Sequence, residues 1–237
     1  MTRSGLVRRI RRYPVKSLVG EDLDRAEIVP RGLAGDRSWA VQDLDGKIGS
    51  GKSTRRFRRM DGLLDLAASY DGDTPVLTFP DGRALPAGAA ATDQALSAHV
   101  GRPVSLARES DVSHFDDGPV HLVTTSSLRS IAEIAGHDVD PRRTRANLLV
   151  DWDERGFPEH GWVGRQVAVG TEVVLRVTAP MPRCVMVNLP QEDLPADPDL
   201  LRLVGESTVG RILGVVAEVV RPGRVAIGDA VTVVDEA

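Results

Sequence analysis

The sequence predicts a mainly β protein with a β-barrel fold and a few short α-helices, α+β overall. Three observations predict it: strand-length runs rich in β-branched residues recur along the chain, Gly, Pro and Asp punctuate them, and helical periodicity is rare. Strands do not alternate regularly with helices, so a doubly wound parallel sheet is not expected. The spacing is that of barrels and sandwiches.

In chain order, strands are expected at 7–13, 26–29, 39–42, 76–79, 104–107 and 120–124, each bounded by turn residues. The second half continues with 146–150, 166–169, 173–178, 184–187, 213–220 and 230–234. Ser126 or Ser127 can cap a helix in which Leu128, Ile131, Ile134 and Ala135 share a face before Gly136 ends it, and Pro198 can open another across 197–204. Residues 85–91 are small and read as a loop. Ser, Asp and Gly crowd between Glu109 and Pro119, which places a domain join there and divides the chain into 1–115 and 116–237.

With 237 residues, 41% of them hydrophobic and 27% charged, the chain can bury a sizeable core as one large or two modest domains. A net charge of −4 gives no general reason to bind nucleic acid or a membrane surface, so any basic site must be local. No stretch approaches the roughly 20 apolar residues of a membrane span, and the first residues lack the apolar run of a signal peptide. With a single cysteine as well, the expectation is a cytoplasmic protein.

Gly46-Lys47-Ile48-Gly49-Ser50-Gly51-Lys52-Ser53 satisfies the phosphate-loop pattern, and Leu148-Leu149-Val150-Asp151 resembles the magnesium-binding strand that accompanies it. The preceding 39–45 run is half polar, whereas a phosphate-loop strand is buried on both faces and nearly all apolar. Asp45-Gly46 is a strong hairpin dipeptide, so a surface hairpin followed by a basic segment at 52–59 is expected instead. The five histidines show no metal-ligand spacing. Ser126 with His121 and Asp117 lacks a nucleophile elbow, which leaves Ser126 as a helix cap.

Cys184 is the only cysteine and lies in Pro182-Arg183-Cys184-Val185-Met186-Val187. A lone Cys is more often a small buried hydrophobe than a ligand or nucleophile. Arg183 beside it is the kind of positive neighbour that favours a thiolate.

Ordered motifs then carry a resemblance over nearly the whole chain. Tyr13-Pro14-Val15-Lys16-Ser17 with Gly20, and Arg31-Gly32-Leu33-Ala34-Gly35-Asp36-Arg37-Ser38-Trp39, resemble the N-terminal β-barrel of MOSC proteins, named for the C-terminal domain of molybdenum cofactor sulfurase. The MOSC domain itself is resembled by His121-Leu122-Val123-Thr124, Arg143-Thr144-Arg145-Ala146-Asn147, Pro182-Arg183-Cys184, and Gly214-Val215-Val216-Ala217 through Gly228-Asp229-Ala230-Val231. Within that family the chain is similar to the mitochondrial amidoxime-reducing component and to bacterial reductases of N-hydroxylated compounds.

The resemblance implies a molybdenum cofactor, Mo-molybdopterin, with Cys184 as its metal ligand and catalytic residue. It assigns pterin contacts to Lys16, Ser17 and Arg37, and it matches Arg145 and Asn147 to an R-P-N element in which Ala146 replaces the proline. Molybdopterin carries a phosphate and a dithiolene, and Lys16, Arg37, Arg145 and Arg183 supply the charge to neutralise them. Thr125 and Ser126, where a strand meets a helix, are a further candidate anion contact through their N–H groups. Pyridoxal phosphate binding is a further expectation of the family.

The implied reaction is reduction of an N-hydroxylated or otherwise N-oxygenated small molecule by oxygen-atom abstraction. One cysteine cannot hold an iron–sulfur cluster and no C-x-x-C-H haem motif is present, so electrons are expected from an external flavoprotein, ferredoxin or haem protein. Two alternatives stand beside it: a sulfur carrier using a Cys184 persulfide, and a non-catalytic module that binds an anionic ligand. Pro182 replaces a serine of the mitochondrial reductases, and Asn188-Leu189-Pro190-Gln191 replaces their Thr, Asp and Gly-rich stretch, which implies a different substrate rim.

Overall fold

Seven strands close into a barrel in the computed structural model, which describes residues 4–234. Their order is Leu148–Asp151, Val120–Thr124, Ile212–Arg221, Val173–Pro182, Gln166–Val169, Ala230–Val234 and Ser4–Arg12, and the last pairs back onto the first. Period-two burial builds it: Val173, Leu175 and Val177 are buried while Val174 and Arg176 between them are half-buried. Leu122, Leu148, Val167, Val215 and Val231 fill the interior beside Leu175. Closure leaves no unpaired edge among these strands.

Val120–Thr124 is buried at every position, because the barrel core lies on one side of it and helices lie on the other. It runs parallel to Leu148–Asp151, and the crossover this requires contains the helix Thr125–Ala135. Leu128 and Ile131 of that helix, with Leu200 and Val204 of the helix Leu200–Ser207, cover Val123 and Leu149.

The strand Ser4–Arg12 therefore shares a barrel with the second half of the chain. Beyond it, Tyr13 to Ser17 carry the chain across to a second sheet formed by Val104–Arg108, Trp39–Asp43, Ile48–Ser50 and Phe57–Arg59, with Val15–Lys16 parallel to Trp39–Asp43. That sheet has its own core, in which Val15, Leu18 and Val41 meet Leu66, Leu96 and Leu106. The halves are joined again where Arg25–Val29 pairs with Gly223–Ala226.

Mostly β architecture agrees with the sequence reading, and five local expectations need correction. Residues 184–187 are not a strand: the strand ends at Pro182, and a 3-10 helix follows at Val185–Asn188. Pro180 and Pro182 have no N–H to donate, and the pairing with Ile212–Arg221 shifts register between them before it stops. The cap of the helix Thr125–Ala135 is Thr124, whose Oγ1 accepts a hydrogen bond from the Ser127 N–H at 3.2 Å, while Ser126 and Ser127 are buried within the first turn. Ile134 faces solvent, 53% exposed, rather than sharing the buried face. The helix at Ala90–Val100 begins inside the small-residue stretch read as a loop; only Thr92, Ala95 and Leu96 of it are buried, too few to mark a face. The second expected helix starts at Leu200, after Asp199, instead of at 197.

The phosphate-loop pattern is a hairpin, as its turn residues imply. Gly46, at φ 73°, donates its N–H to the Asp43 carbonyl at 2.9 Å, and Gln42 pairs antiparallel with Ile48. After Lys52 the chain enters the strand Phe57–Arg59, so no helix N-terminus faces a phosphate there. Among the described residues no helix is long and apolar enough to cross a membrane.

Candidate functional site

Two motifs far apart in sequence clasp one another. Asp36, wholly buried, accepts the Tyr13 N–H at 2.7 Å, and the Arg37 N–H donates to the Tyr13 carbonyl at 2.6 Å. Val15 and Lys16 then pair with Trp39 and Ala40. Arg37 takes φ 49° and Ser17 φ 66°, both in the left-handed region that non-glycine residues rarely occupy. Arg145 does the same at φ 52°, closing the 3-10 turn Pro141–Thr144. The guanidiniums of Arg37 and Arg145 lie over the buried Tyr13 ring, 4.6 and 4.2 Å from its centre.

Lys16, Ser17, Arg37 and Arg145 line a cleft of about 280 Å³ between the second sheet and the barrel. The structure brings Lys16, Ser17, Arg37, Arg145, Asn147, Arg183 and Cys184 together there. Cys184 is partly exposed and sits in extended backbone immediately before the Val185–Asn188 turn. Arg143 supports that turn from below, donating to the Pro195 carbonyl at 2.6 Å and to the Val187 and Leu189 carbonyls at 3.4 Å.

Not every predicted contact is free to hold a ligand. Arg183 donates through Nε to the Leu213 carbonyl and through Nη1 to the Thr144 carbonyl, each at 2.7 Å, while Nη2 faces His121 Nε2 and Leu213. Its contribution to the cleft is charge and support. Gly214 permits this packing: at φ 81°, a Cβ there would lie 2.8 Å from His121 Nε2 and 2.5 Å from the Leu122 carbonyl oxygen. Asn147 accepts the His121 N–H at 3.1 Å and donates to the Arg11 carbonyl at 3.2 Å, so its amide fixes the backbone of the wall. Ser17 donates to the Gly49 carbonyl at 3.0 Å.

Thr125 and Ser126 lie outside the cleft. Thr125 donates to Asp151 at 2.9 Å and Ser126 to the Trp152 carbonyl at 2.5 Å, which ties the helix start to the strand beside it. The same bond removes Ser126 from any arrangement with His121 and Asp117. Sequence reasoning missed Lys52, Ser50, Asp116 and Asp117 as cleft residues. Lys52 stood in the phosphate-loop pattern and the two aspartates in the polar join, so both signals were visible but pointed elsewhere.

Six cations line the cleft, Lys16, Arg37, Lys52, Arg143, Arg145 and Arg183, against the carboxylates Asp116 and Asp117. Lys16 is 3% exposed, and burial pushes its ammonium down to about 8 although Asp116 opposes the change. Burial likewise lowers Arg145 to about 10 and Arg183 to about 9, so both stay charged at neutral pH. Burial also disfavours the charge on Arg37, yet Asp36 and its other neighbours outweigh it and hold the group above its usual value. Burial and the adjacent Asp116 raise the Asp117 carboxyl. Burial and Arg183 keep His121 neutral, well below the ordinary histidine value.

The balance of charge suits an anion. Arg145 Nη1 is buried with no hydrogen-bond partner, an expensive state that an incoming acceptor relieves. Among the described residues no cluster of three or more His, Cys, Asp or Glu side chains could hold a metal ion. A metal in this cleft would need to bring ligands of its own, and Cys184 is the thiol that the lining could offer it. That donor set fits a metal carried by an anionic organic ligand. Pyridoxal phosphate gains no such support: Lys16, the buried lysine, is held by Asp116 at 3.0 Å.

The chain matches the model of the MOSC domain over residues 100–232 and that of the MOSC N-terminal beta barrel domain over residues 4–110. Among solved structures it is similar to the YuaD protein from Bacillus subtilis, with 16% identity, a TM-score of 0.55, and 100% of this chain and 99% of that chain covered. YiiM from Escherichia coli aligns with 13% identity and a TM-score of 0.44 over 100% of this chain and 71% of that chain. The YuaD likeness is one of fold. No functionally curated protein matches the chain.

Proposed function

Because the chain belongs to the MOSC family, whose members are often associated with the molybdenum cofactor, we propose that it is a molybdenum-dependent oxidoreductase that reduces N-hydroxylated small molecules. The observation that carries this reading is a cleft of six cations with an unpartnered guanidinium nitrogen on Arg145 and a cysteine at its edge. Lys16, Arg37, Lys52 and Arg145 would hold the phosphate and pterin of molybdopterin, and Cys184 would ligate the metal. When bound, the molybdenum supplies two-electron removal of the substrate oxygen.

The chain's own residues prepare that chemistry. Arg183 and Arg143 fix the backbone on either side of Cys184, so the sulfur is held on a supported turn instead of a free loop. His121, neutral beside Arg183, adds no competing positive charge. The overall change converts N–OH to N–H and water with two electrons and two protons. Asp117 lines the cleft with its carboxyl shifted upward by partial burial and by the neighbouring Asp116, and in this reading it would donate one of them. The electrons come from an external flavoprotein, ferredoxin or haem protein.

The test is turnover. Protein isolated from a molybdenum-replete host should reduce an aryl amidoxime to the amidine with a chemical reductant standing in for the donor protein, and Cys184→Ser should abolish this while leaving the fold intact. Molybdenum-loaded protein without turnover would refute the assignment.

A further inference from the structure

A second hollow of about 270 Å³ adjoins the basic cleft, sharing Ser17 and Met186 with it, and has a different character. Its walls are Met60, Leu63, Leu64, Met186, Leu189 and Pro190. No Lys or Arg lines it; the charged groups at its rim are Asp61 and Asp65, 79% and 58% exposed. Gly51 leaves room for the wall they share: a Cβ there would lie 2.5 Å from Met186 Sδ and 2.8 Å from Leu189 Cδ1. Met186, two residues after Cys184 on the 3-10 turn, thus stands between the basic cleft and the apolar hollow.

We infer that this hollow is the specificity pocket, and that it takes the apolar aryl or alkyl body of a neutral substrate whose N-hydroxyl group lies in the cleft near Cys184. The inference rests on the proposed reduction for the identity of the reacting group. Continuity with the cleft sets where the body must go, since a substrate reacting beside Cys184 can extend past Met186 without crossing the cations that face an anionic cofactor. Charge sets which substrates enter: Asp61 is paired with Arg59 at 2.9 Å, but Asp65 faces only His99 at 3.9 Å and no cation lines the hollow, so it offers an anion no partner and accommodates a neutral amidoxime and the cationic amidine it becomes. Met186 suits a shared wall, being unbranched and able to fill space of different shapes. Joined, the two spaces fall within the roughly 300–1,000 Å³ of small-molecule sites.

Methyl-labelled methionine NMR of the full chain tests this without turnover. Of four methionines, Met60 and Met186 line the hollow and Met181 lines only the cleft. Titration with an aryl amidoxime should shift the Met60 and Met186 methyls, whereas an aryl carboxylate of equal size should leave Met60 unmoved. Met186→Trp should weaken amidoxime binding by about tenfold or more by filling the space a ring would occupy. Gly51→Ala, a gentler change that displaces Met186, should move the Met186 signal and weaken binding less, and it serves if the larger substitution prevents folding. Unmoved Met60 and Met186 signals, an equal response to the carboxylate, or wild-type affinity in a folded variant would overturn the inference. Failure of the molybdenum assignment would leave the predicted shifts intact, and unmoved signals in molybdenum-loaded protein would overturn the pocket alone.

Discussion

Lys16 Nζ lies 3.0 Å from one oxygen of Asp116, and Lys52 Nζ lies 4.0 Å from the other. One carboxylate from the polar join between the halves therefore faces two lysines from the N-terminal half, and an anion entering the cleft competes with it. Asp116→Asn should tighten sulfate binding at pH 6.5 by a few-fold, on the order of 0.5–1 kcal/mol. The same change removes the charge that props up the Lys16 ammonium, so affinity should begin to fall at lower pH than in the wild type. Calorimetric sulfate titrations at several pH values check both signs.

The pH dependence of the wild type follows from the same lysine. Sulfate affinity should fall as pH rises through about 8, where folded Lys16 loses its proton. Stability of the ligand-free chain should move the opposite way. Between about 8 and the ordinary value of 10.5 the unfolded chain holds a proton on Lys16 that the folded chain has released, so stability rises with pH across that window. Lys16→Met should flatten both profiles, as read by sulfate titration and by urea denaturation at stepped pH.

Arg183 is a structural post as well as a charge. Arg183→Met should destabilise the protein by about 2–4 kcal/mol, because it strands the buried Thr144 and Leu213 carbonyls. Arg183→Lys keeps the charge but cannot span both carbonyls and should fall between. Denaturant midpoints at constant slope measure the difference.

Thr125 and Ser126 supply the converse. Ser126→Ala should cost about 1 kcal/mol through loss of its bond to the Trp152 carbonyl, yet leave molybdenum content and sulfate affinity unchanged. A loss of cofactor without a loss of stability would place the serine back in the site.

The fold was legible where period-two burial and turn chemistry agree, as in the strands Gln166–Val169 and Val173–Pro182. Locally ambiguous features were not. Pro180 and Pro182 end a strand whose apolar run continues to Val187, and the helix Ala90–Val100 shows little contrast between its faces. The cleft was legible through motifs, which marked Lys16, Ser17, Arg37, Arg145, Asn147, Arg183 and Cys184. What the motifs could not convey is division of labour: Asn147 and Arg183 are engaged by backbone groups that pairing brings near only in the folded chain. Asp116 and Lys52 were hidden for the same reason, since nothing local relates residue 16 to residue 116.

Molybdenum and pterin content of the purified protein tests the central claim most directly. Protein from a molybdenum-replete host should carry molybdenum and oxidisable pterin fluorescence in equal amounts, and Arg145→Gln should lower both together. Protein without either, bearing instead a cyanide-labile sulfur on Cys184, would contradict the account and make the chain a sulfur carrier.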